Sequence, residues 1–210
     1  MNEFSIDDVT SAEDIALVVG VRGSGKSHLV REAIWQNAHR IIAFDPHHEY
    51  GMNHIGLIEF QRAAERGLPE EFAASVTPVG LITDDERAFT DCVRQFTAII
   101  EKHVRNTIII FEEAGIMEGM KKPQKLLNVL ATQSRHWNCP LVYVAQRAFQ
   151  VPVTVRSQAN VVVSLRQSDD GDIRELREKF GSANRALAER IPTLDKHEYV
   201  IWRLWEKSDS

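Results

Sequence analysis

Short, wholly apolar runs alternate with longer amphipathic stretches along this chain. Ile15–Val19 ("IALVV"), Arg40–Phe44 within "HRIIAFDPHHEYG", "NTIIIFEE", "CPLVYVAQR" and "ANVVVSLR" are rich in β-branched residues, which predicts buried strands; "HEYVIWRLW" predicts a closing strand. Between them, "SHLVREAIWQNA" repeats its apolar positions (Leu29, Val30, Ala33, Ile34) at helical spacing. "DDERAFTDCVRQFTAIIEKHV" places Phe89, Val93, Phe96, Ile99 and Ile100 on one face behind an acidic start, which predicts an amphipathic helix. "KPQKLLNVLATQSRHW" and "DIRELREKFG" predict two more. Within residues 51–80, "EFQRAAERG" and "PEEFAAS" suggest short helices and "VTPVGLI" a strand. Helices alternating with apolar strands predict an α/β fold whose mostly parallel sheet is covered on both faces. We expect one domain over residues 1–210, with a core of about 14–180 and a C-terminal helix and strand, 181–205, extending it.

Composition narrows the class. At 210 residues, 43% hydrophobic and 26% charged, the chain has an ordinary globular make-up. No apolar run approaches the ~20 residues of a membrane span, and the acidic start "MNEFSIDDVTSAED" does not read as a secretory signal. Cys92 and Cys139 are too few for a disulfide framework or a metal cluster, which fits a reducing cytosol. The net charge of −5 argues against a generally basic surface, yet leaves room for a few concentrated lysines.

Chemistry first enters at "VVGVRGSGKSHLV", where Gly20, Gly25, Lys26 and Ser27 have the spacing G-x-x-x-x-G-K-S between the first strand and the first helix. Glycines allow the tight backbone fold that turns consecutive N–H groups toward an anion. The helix start adds unpaired N–H groups and the positive end of its dipole. This is the context of a phosphate loop, Gly20, Val21, Arg22, Gly23, Ser24, Gly25, Lys26, Ser27 and His28. Lys26 would face the β- and γ-phosphates of ATP, and the Ser27 hydroxyl would ligate Mg²⁺.

A second half of the site is expected at "TIIIFEEAG", four apolar residues ending in two carboxylates. In a parallel sheet such acids emerge at the strand's C-terminal edge, where ligands bind. We assign Glu112 to the Mg²⁺ shell and Glu113 to polarising the attacking water. A glutamate at the first of these positions is one methylene longer than an aspartate, which leaves open which acid does which work. "LVYVAQRAFQVP" ends its strand in Gln146, placed to sense the γ-phosphate. The similar string "ATQS" at 131–134 lies inside a predicted helix and is set aside.

The order of these motifs resembles the FtsK–HerA superfamily of P-loop NTPases, and within it the small genome-packaging ATPases of membrane-containing double-jelly-roll viruses. The resemblance is carried by "GVRGSGKS", "AFDPHHEYG", "IIIFEEAG", "SRHWNCPLVYVAQR" and "VRSQANVVVSLR", over about residues 14–180. It places Asp45, Pro46, Glu49, Tyr50, Arg135, Gln146, Ser157, Gln158 and Asn160 at motif positions. It implies an ATPase that translocates double-stranded DNA as a homo-oligomeric ring, a hexamer or a pentamer. It also implies a genome-packaging role in the host cytoplasm or at a packaging vertex of the virion, beside vertex or membrane proteins. Membrane spans, a barrel, a winged helix or a nuclease domain are not expected here, which favours the viral subgroup.

In such rings an arginine can act on the neighbouring subunit's nucleotide. Arg135 matches the family position best, followed by Arg156, with Arg147 and Arg166 as further candidates. Lys121, Lys122 and Lys125, in a flexible basic stretch after the acidic pair, are candidates for gripping DNA phosphates. Two other readings remain: a small P-loop kinase using Arg174, Arg177, Arg185 and Arg190 as a lid, and a nucleotide-gated phage morphogenesis or secretion protein.

Overall fold

The computed structural model describes residues 3–50, 53–77, 86–117 and 121–204. Its strands form one eight-stranded sheet: β1 (Ile15–Val19), β2 (Arg40–Phe44), β3 (His54–Ile55), β4 (Phe72–Val76), β5 (Ile108–Phe111), β6 (Leu141–Ala145), β7 (Val161–Ser164) and β8 (Val200–Arg203). The spatial order is β3-β4-β2-β5-β6-β1-β7-β8. Every pairing is parallel except β7 with β8. The helices are α1 (Lys26–Val30), α2 (Leu57–Arg66), α3 (Glu86–His103), α4 (Lys121–Gln133), α5 (Val153–Gln158), α6 (Asp170–Phe180) and α7 (Arg185–Arg190). The expected α/β class with a mostly parallel sheet is therefore observed.

The central strands are buried along their whole length because both faces of the sheet are covered. Leu17, Val19, Phe44, Phe111 and Tyr143 point to one side, with Phe96 and Ile100 of α3 and Leu127 and Leu130 of α4. Ala16, Val18, Ile41, Ile110 and Val144 point to the other, with Val30 of α1, Ile34 beyond it, and Phe4 and Val9 of the N-terminal segment. The second cover is thinner, one helix and a chain end. Among the described residues, no helix is long and apolar enough to cross a membrane.

The structure corrects two expectations. "PEEFAAS" contains β4 rather than a short helix. Its Glu and Ala residues favour a helix locally, but pairing along β2 from Arg40↔Phe72 to Phe44↔Val76 overrides that preference. The strand expected at "VTPVGLI" shares Val76 with β4, and its residues from 78 onward lie outside those described. The basic stretch after the acids is likewise not a loop throughout: α4 begins at Lys121. Pro123 fits there because the first helical turn has no N–H partner to lose.

Topology positions the site. All parallel strands end on the same edge, and β6 is inserted between β1 and β5. The loop after β1, the acids after β5 and the glutamine after β6 therefore meet side by side. Asn160, one of the motif residues, works at the opposite edge: its Oδ1 accepts from Ile15 N at 2.8 Å and its Nδ2 donates to Asp14 Oδ1 at 3.1 Å, fixing the start of β1 beside β7.

The antiparallel edge strand is fastened to the N-terminal segment by Arg203, which donates to both Asp8 oxygens at 2.5 and 2.9 Å while Asp8 is 3% exposed. Arg203→Ala leaves that carboxylate buried without its cation. We expect a loss of about 3 kcal/mol in urea unfolding, with the double variant Asp8→Asn/Arg203→Ala recovering part of it.

Candidate active site

The phosphate loop is built from backbone constraints. Gly23 and Gly25 have φ of +79° and +108°, and Gly25 caps α1 in the left-handed region. Gly25 needs glycine for a second reason: an added Cβ would lie 2.5 Å from the His197 ring. His197 belongs to the turn before β8, donates its N–H to Ser24 O at 2.9 Å and meets His28 edge-on at 5.0 Å. Val21 N donates to Arg166 O at 2.9 Å, so the loop is pinned to the chain leaving β7. Nothing in the sequence pattern pointed to His197.

Lys26 is 7% exposed and folds back to donate to Val21 O at 3.3 Å. Burial lowers the pKa of its ammonium, while Glu113, Glu112 and Glu49 oppose that shift. Ser27 Oγ donates to Glu112 Oε1 at 3.0 Å, joining the first helix to the end of β5 across 85 residues. The second Glu112 oxygen accepts a close hydrogen bond from the Tyr50 hydroxyl. Glu112 is 2% exposed, and its pKa is raised to about 7, chiefly by burial; the Tyr50 and Ser27 hydrogen bonds pull the other way. Burial and the Glu112 carboxylate in turn hold the Tyr50 phenol well above its ordinary pKa, so it remains a donor.

Glu113 leaves the strand differently. Its φ of +51° is unusual for a non-glycine residue and turns the chain sharply at the strand end. There Gln146 Nε2 donates to Glu113 Oε1 at 3.0 Å. Gln146 is held by its own backbone, whose carbonyl accepts from the buried Gln167 side chain at 3.1 Å. Lys26, Ser27, Glu112, Glu113 and Gln146 thus form one constellation.

The arginines divide. Arg147 donates to Asp172 at 2.7 Å and to Asp169 at 2.9 Å, and Asp172 also accepts from Phe149 N at 3.0 Å, so Arg147 braces the segment after Gln146. Arg156 is mostly buried, pairs with Glu175 and lies over the Phe149 ring. Arg166 is exposed on the site's own edge. Arg135 is exposed in the 3₁₀ turn before β6, at the opposite edge of the sheet from its own phosphate loop. Arg174 and Arg177 lie on α6, and Arg185 and Arg190 on α7, two separate helices rather than one lid. Lys125 is exposed near the start of α4; the side chains of Lys121 and Lys122 lie outside those described.

The donor set suits a hydrated divalent cation shared with phosphates. Among the described residues, no cluster of three or more His, Cys, Asp or Glu could hold a metal by itself. One carboxylate and one hydroxyl 3.0 Å apart match a hard cation that takes its remaining ligands from phosphate and water. Ser24 Oγ is buried in the loop with no hydrogen-bond partner, a donor ready for an incoming acceptor.

No family model and no curated protein matches this chain in sequence. Solved structures do. The genome packaging NTPase B204 from Sulfolobus turreted icosahedral virus 2, in complex with ATP-gammaS, aligns over 92% of this chain and 93% of its own, with a TM-score of 0.65 and 18% identity. B204, the DNA-packaging ATPase from Sulfolobus turreted icosahedral virus, aligns over 91% and 93% with a TM-score of 0.59 and 16% identity. VirB4 of Thermoanaerobacter pseudethanolicus aligns over 92% and 90% with a TM-score of 0.60 and 12% identity. At such identities the likeness establishes a shared fold, and at that level the resemblance read from the motifs is borne out.

Glu112 makes the site's electrostatics measurable. Folding raises its carboxyl from 4.5 to about 7, so between these values the native state holds a proton that the unfolded chain has released. Its contribution to stability is complete below about pH 4.5 and is lost as the pH rises through about 7. Glu112→Gln keeps the shape and removes the charge. In EDTA it should stabilise the protein at pH 8 by roughly 3 kcal/mol, a gain that fades toward pH 5, as read from denaturant unfolding across that range.

Proposed function

We propose that this chain is an ATP-hydrolysing DNA translocase, a genome-packaging motor that acts on double-stranded DNA as a homo-oligomeric ring. The observation that carries the ATPase part is the direct Ser27–Glu112 contact, which joins a phosphate loop to a strand-end acid, with Glu113 and Gln146 paired beside it. The packaging part is supported by the shared fold with B204 over almost the whole of both chains, together with the motif order.

Each residue of the constellation takes a role from its position. The loop N–H groups and Lys26 hold the phosphates, and Lys26 offsets charge on the transferring group. Ser27 and Glu112 would hold Mg²⁺, which would supply positive charge against the charge that develops on the phosphates. Glu113, turned out of the strand, orients water for in-line attack, and its bond to Gln146 links that carboxylate to the strand between the two halves of the site. Loss of the γ-phosphate would be felt by Gln146 and passed to the segment that Arg147 anchors on α6.

Among the four arginines, Arg135 is the candidate to serve a neighbour's site, because it is exposed and lies away from its own. Arg147 and Arg156 already hold carboxylates of α6. The DNA grip is assigned to the start of α4, with Lys121, Lys122 and Lys125.

The decisive measurement is ATP turnover with and without long double-stranded DNA, alongside the oligomer mass. Lys26→Ala should abolish nucleotide binding. Glu113→Gln should retain binding and lose roughly 10²-fold or more in turnover. DNA should stimulate the wild type, and a chain that turns over ATP without responding to DNA, or that phosphorylates a small acceptor instead, refutes the motor assignment.

Two further outcomes follow from the ring. Arg135→Ala mixed with Glu113→Gln should regain turnover, because mixed interfaces pair one intact arginine with one intact glutamate. Replacing Lys121, Lys122 and Lys125 together by alanine should flatten the salt dependence of DNA affinity by roughly 0.9 in log–log slope per lost contact. Basal turnover should persist.

A further inference from the structure

The Asp45–Tyr50 turn lies outside the phosphate loop, yet it ends on the acid that the site depends on. Asp45 follows β2 and is fully buried. One of its oxygens accepts from Glu49 N at 3.0 Å; the other accepts from Tyr50 N at 3.0 Å and from Ser75 Oγ of β4 at 2.8 Å. Its carbonyl accepts from Thr77 Oγ1 at 3.2 Å. These bonds fix the turn that delivers Tyr50. The Tyr50 ring is fully buried and stacked on Trp35, with centroids 5.4 Å apart and planes 29° apart, and its hydroxyl reaches Glu112 Oε2.

A glutamate has one more rotatable bond than an aspartate, so a carboxylate carried this far from the strand can swing unless one oxygen is held. Tyr50 holds one oxygen, and the other then faces Ser27. A phenylalanine would fill the same volume and keep the Trp35 stack, so packing alone does not call for the hydroxyl.

We propose that Tyr50 is the positioning residue for Glu112: its hydroxyl fixes the carboxylate to share a divalent cation with Ser27, and Asp45, held by Ser75, fixes Tyr50. This rests on the nucleotide-binding reading above. The glutamate and the tyrosine act as a unit. Partners that hold a metal ligand from behind commonly change metal affinity by 10- to 100-fold when removed.

The test uses the full chain and the non-hydrolysed analogue ATPγS, titrated calorimetrically in EDTA and then over a range of Mg²⁺ concentrations. Tyr50→Phe should bind ATPγS in EDTA within about twofold of wild type, while the Mg²⁺ concentration that gives half the metal-dependent gain in affinity rises roughly 10-fold. Ser75→Ala, which leaves Tyr50 in place but loosens Asp45, should shift the same midpoint in the same direction by less, and it serves alone if Tyr50→Phe does not fold. A wild-type Mg²⁺ midpoint in both variants overturns the inference. So does an equal loss of affinity with and without Mg²⁺, which is the mark of a residue that merely packs. If wild type binds ATPγS with no Mg²⁺ dependence, the cation role of Glu112 and this inference fall together; if it does not bind ATPγS at all, the nucleotide reading itself is wrong.

Discussion

A carboxylate buried at the end of a central strand has to be satisfied on every side, and Glu112 is the group around which this molecule is arranged. It is shielded from water, so each of its oxygens must find a donor within the protein. One donor comes from the first helix and the other from the turn after β2. The two segments flank β5 from different parts of the chain, and their meeting depends on the sheet order that seats β2 and β6 on either side of β5. The pKa of about 7 reflects that two hydroxyl donors offset burial only in part. A cation held as proposed would complete the balance.

The second half of the constellation follows from the insertion of β6 between β1 and β5. A parallel strand placed there brings its last side chain between the phosphate loop and the acids, whatever lies elsewhere in the chain. Gln146 occupies that place and bonds Glu113. The next residue, Arg147, is tied to the buried Asp172 of α6, and Asp172 also accepts from Phe149 N. A shift of Gln146 would thus be carried into α6 through two contacts on one rigid carboxylate. The link is short, and it uses charge-assisted bonds rather than loose packing.

The sequence made the strands of the sheet's centre legible because both of their faces are buried, so β1, β2, β5, β6 and β7 appear as unbroken apolar runs. β4 was not legible. Its Ser75 breaks the apolar pattern because it must donate to the buried Asp45, a reason that exists only in the folded protein. The phosphate loop, the acidic pair and Gln146 could be read from residue type and position relative to a strand. The partners of Glu112 could not. Tyr50 was visible as a motif letter, but its role depends on the turn that Asp45 closes. The arginines were least legible, since charge alone does not distinguish Arg147 and Arg156, paired with carboxylates of α6, from exposed Arg135 and Arg166.

That division constrains how charge can be supplied to a transferring phosphoryl group. A guanidinium held by a buried carboxylate is an expensive donor to move, because leaving would strand an unpaired charge. Arg147 is held in this way by the fully buried Asp172; Arg156, itself mostly buried, pairs with the partly exposed Glu175. Of the candidate arginines, exposed Arg166 lies on the site's own edge and exposed Arg135 on the far edge. The last cannot reach its own phosphate loop without crossing the length of the sheet. An arginine in that place gains a catalytic use only when a second copy of the chain brings its far edge to the first copy's site. If Arg135 serves a neighbour's site as proposed, the chemistry and the assembly become one requirement, and hydrolysis in a lone subunit should be slow.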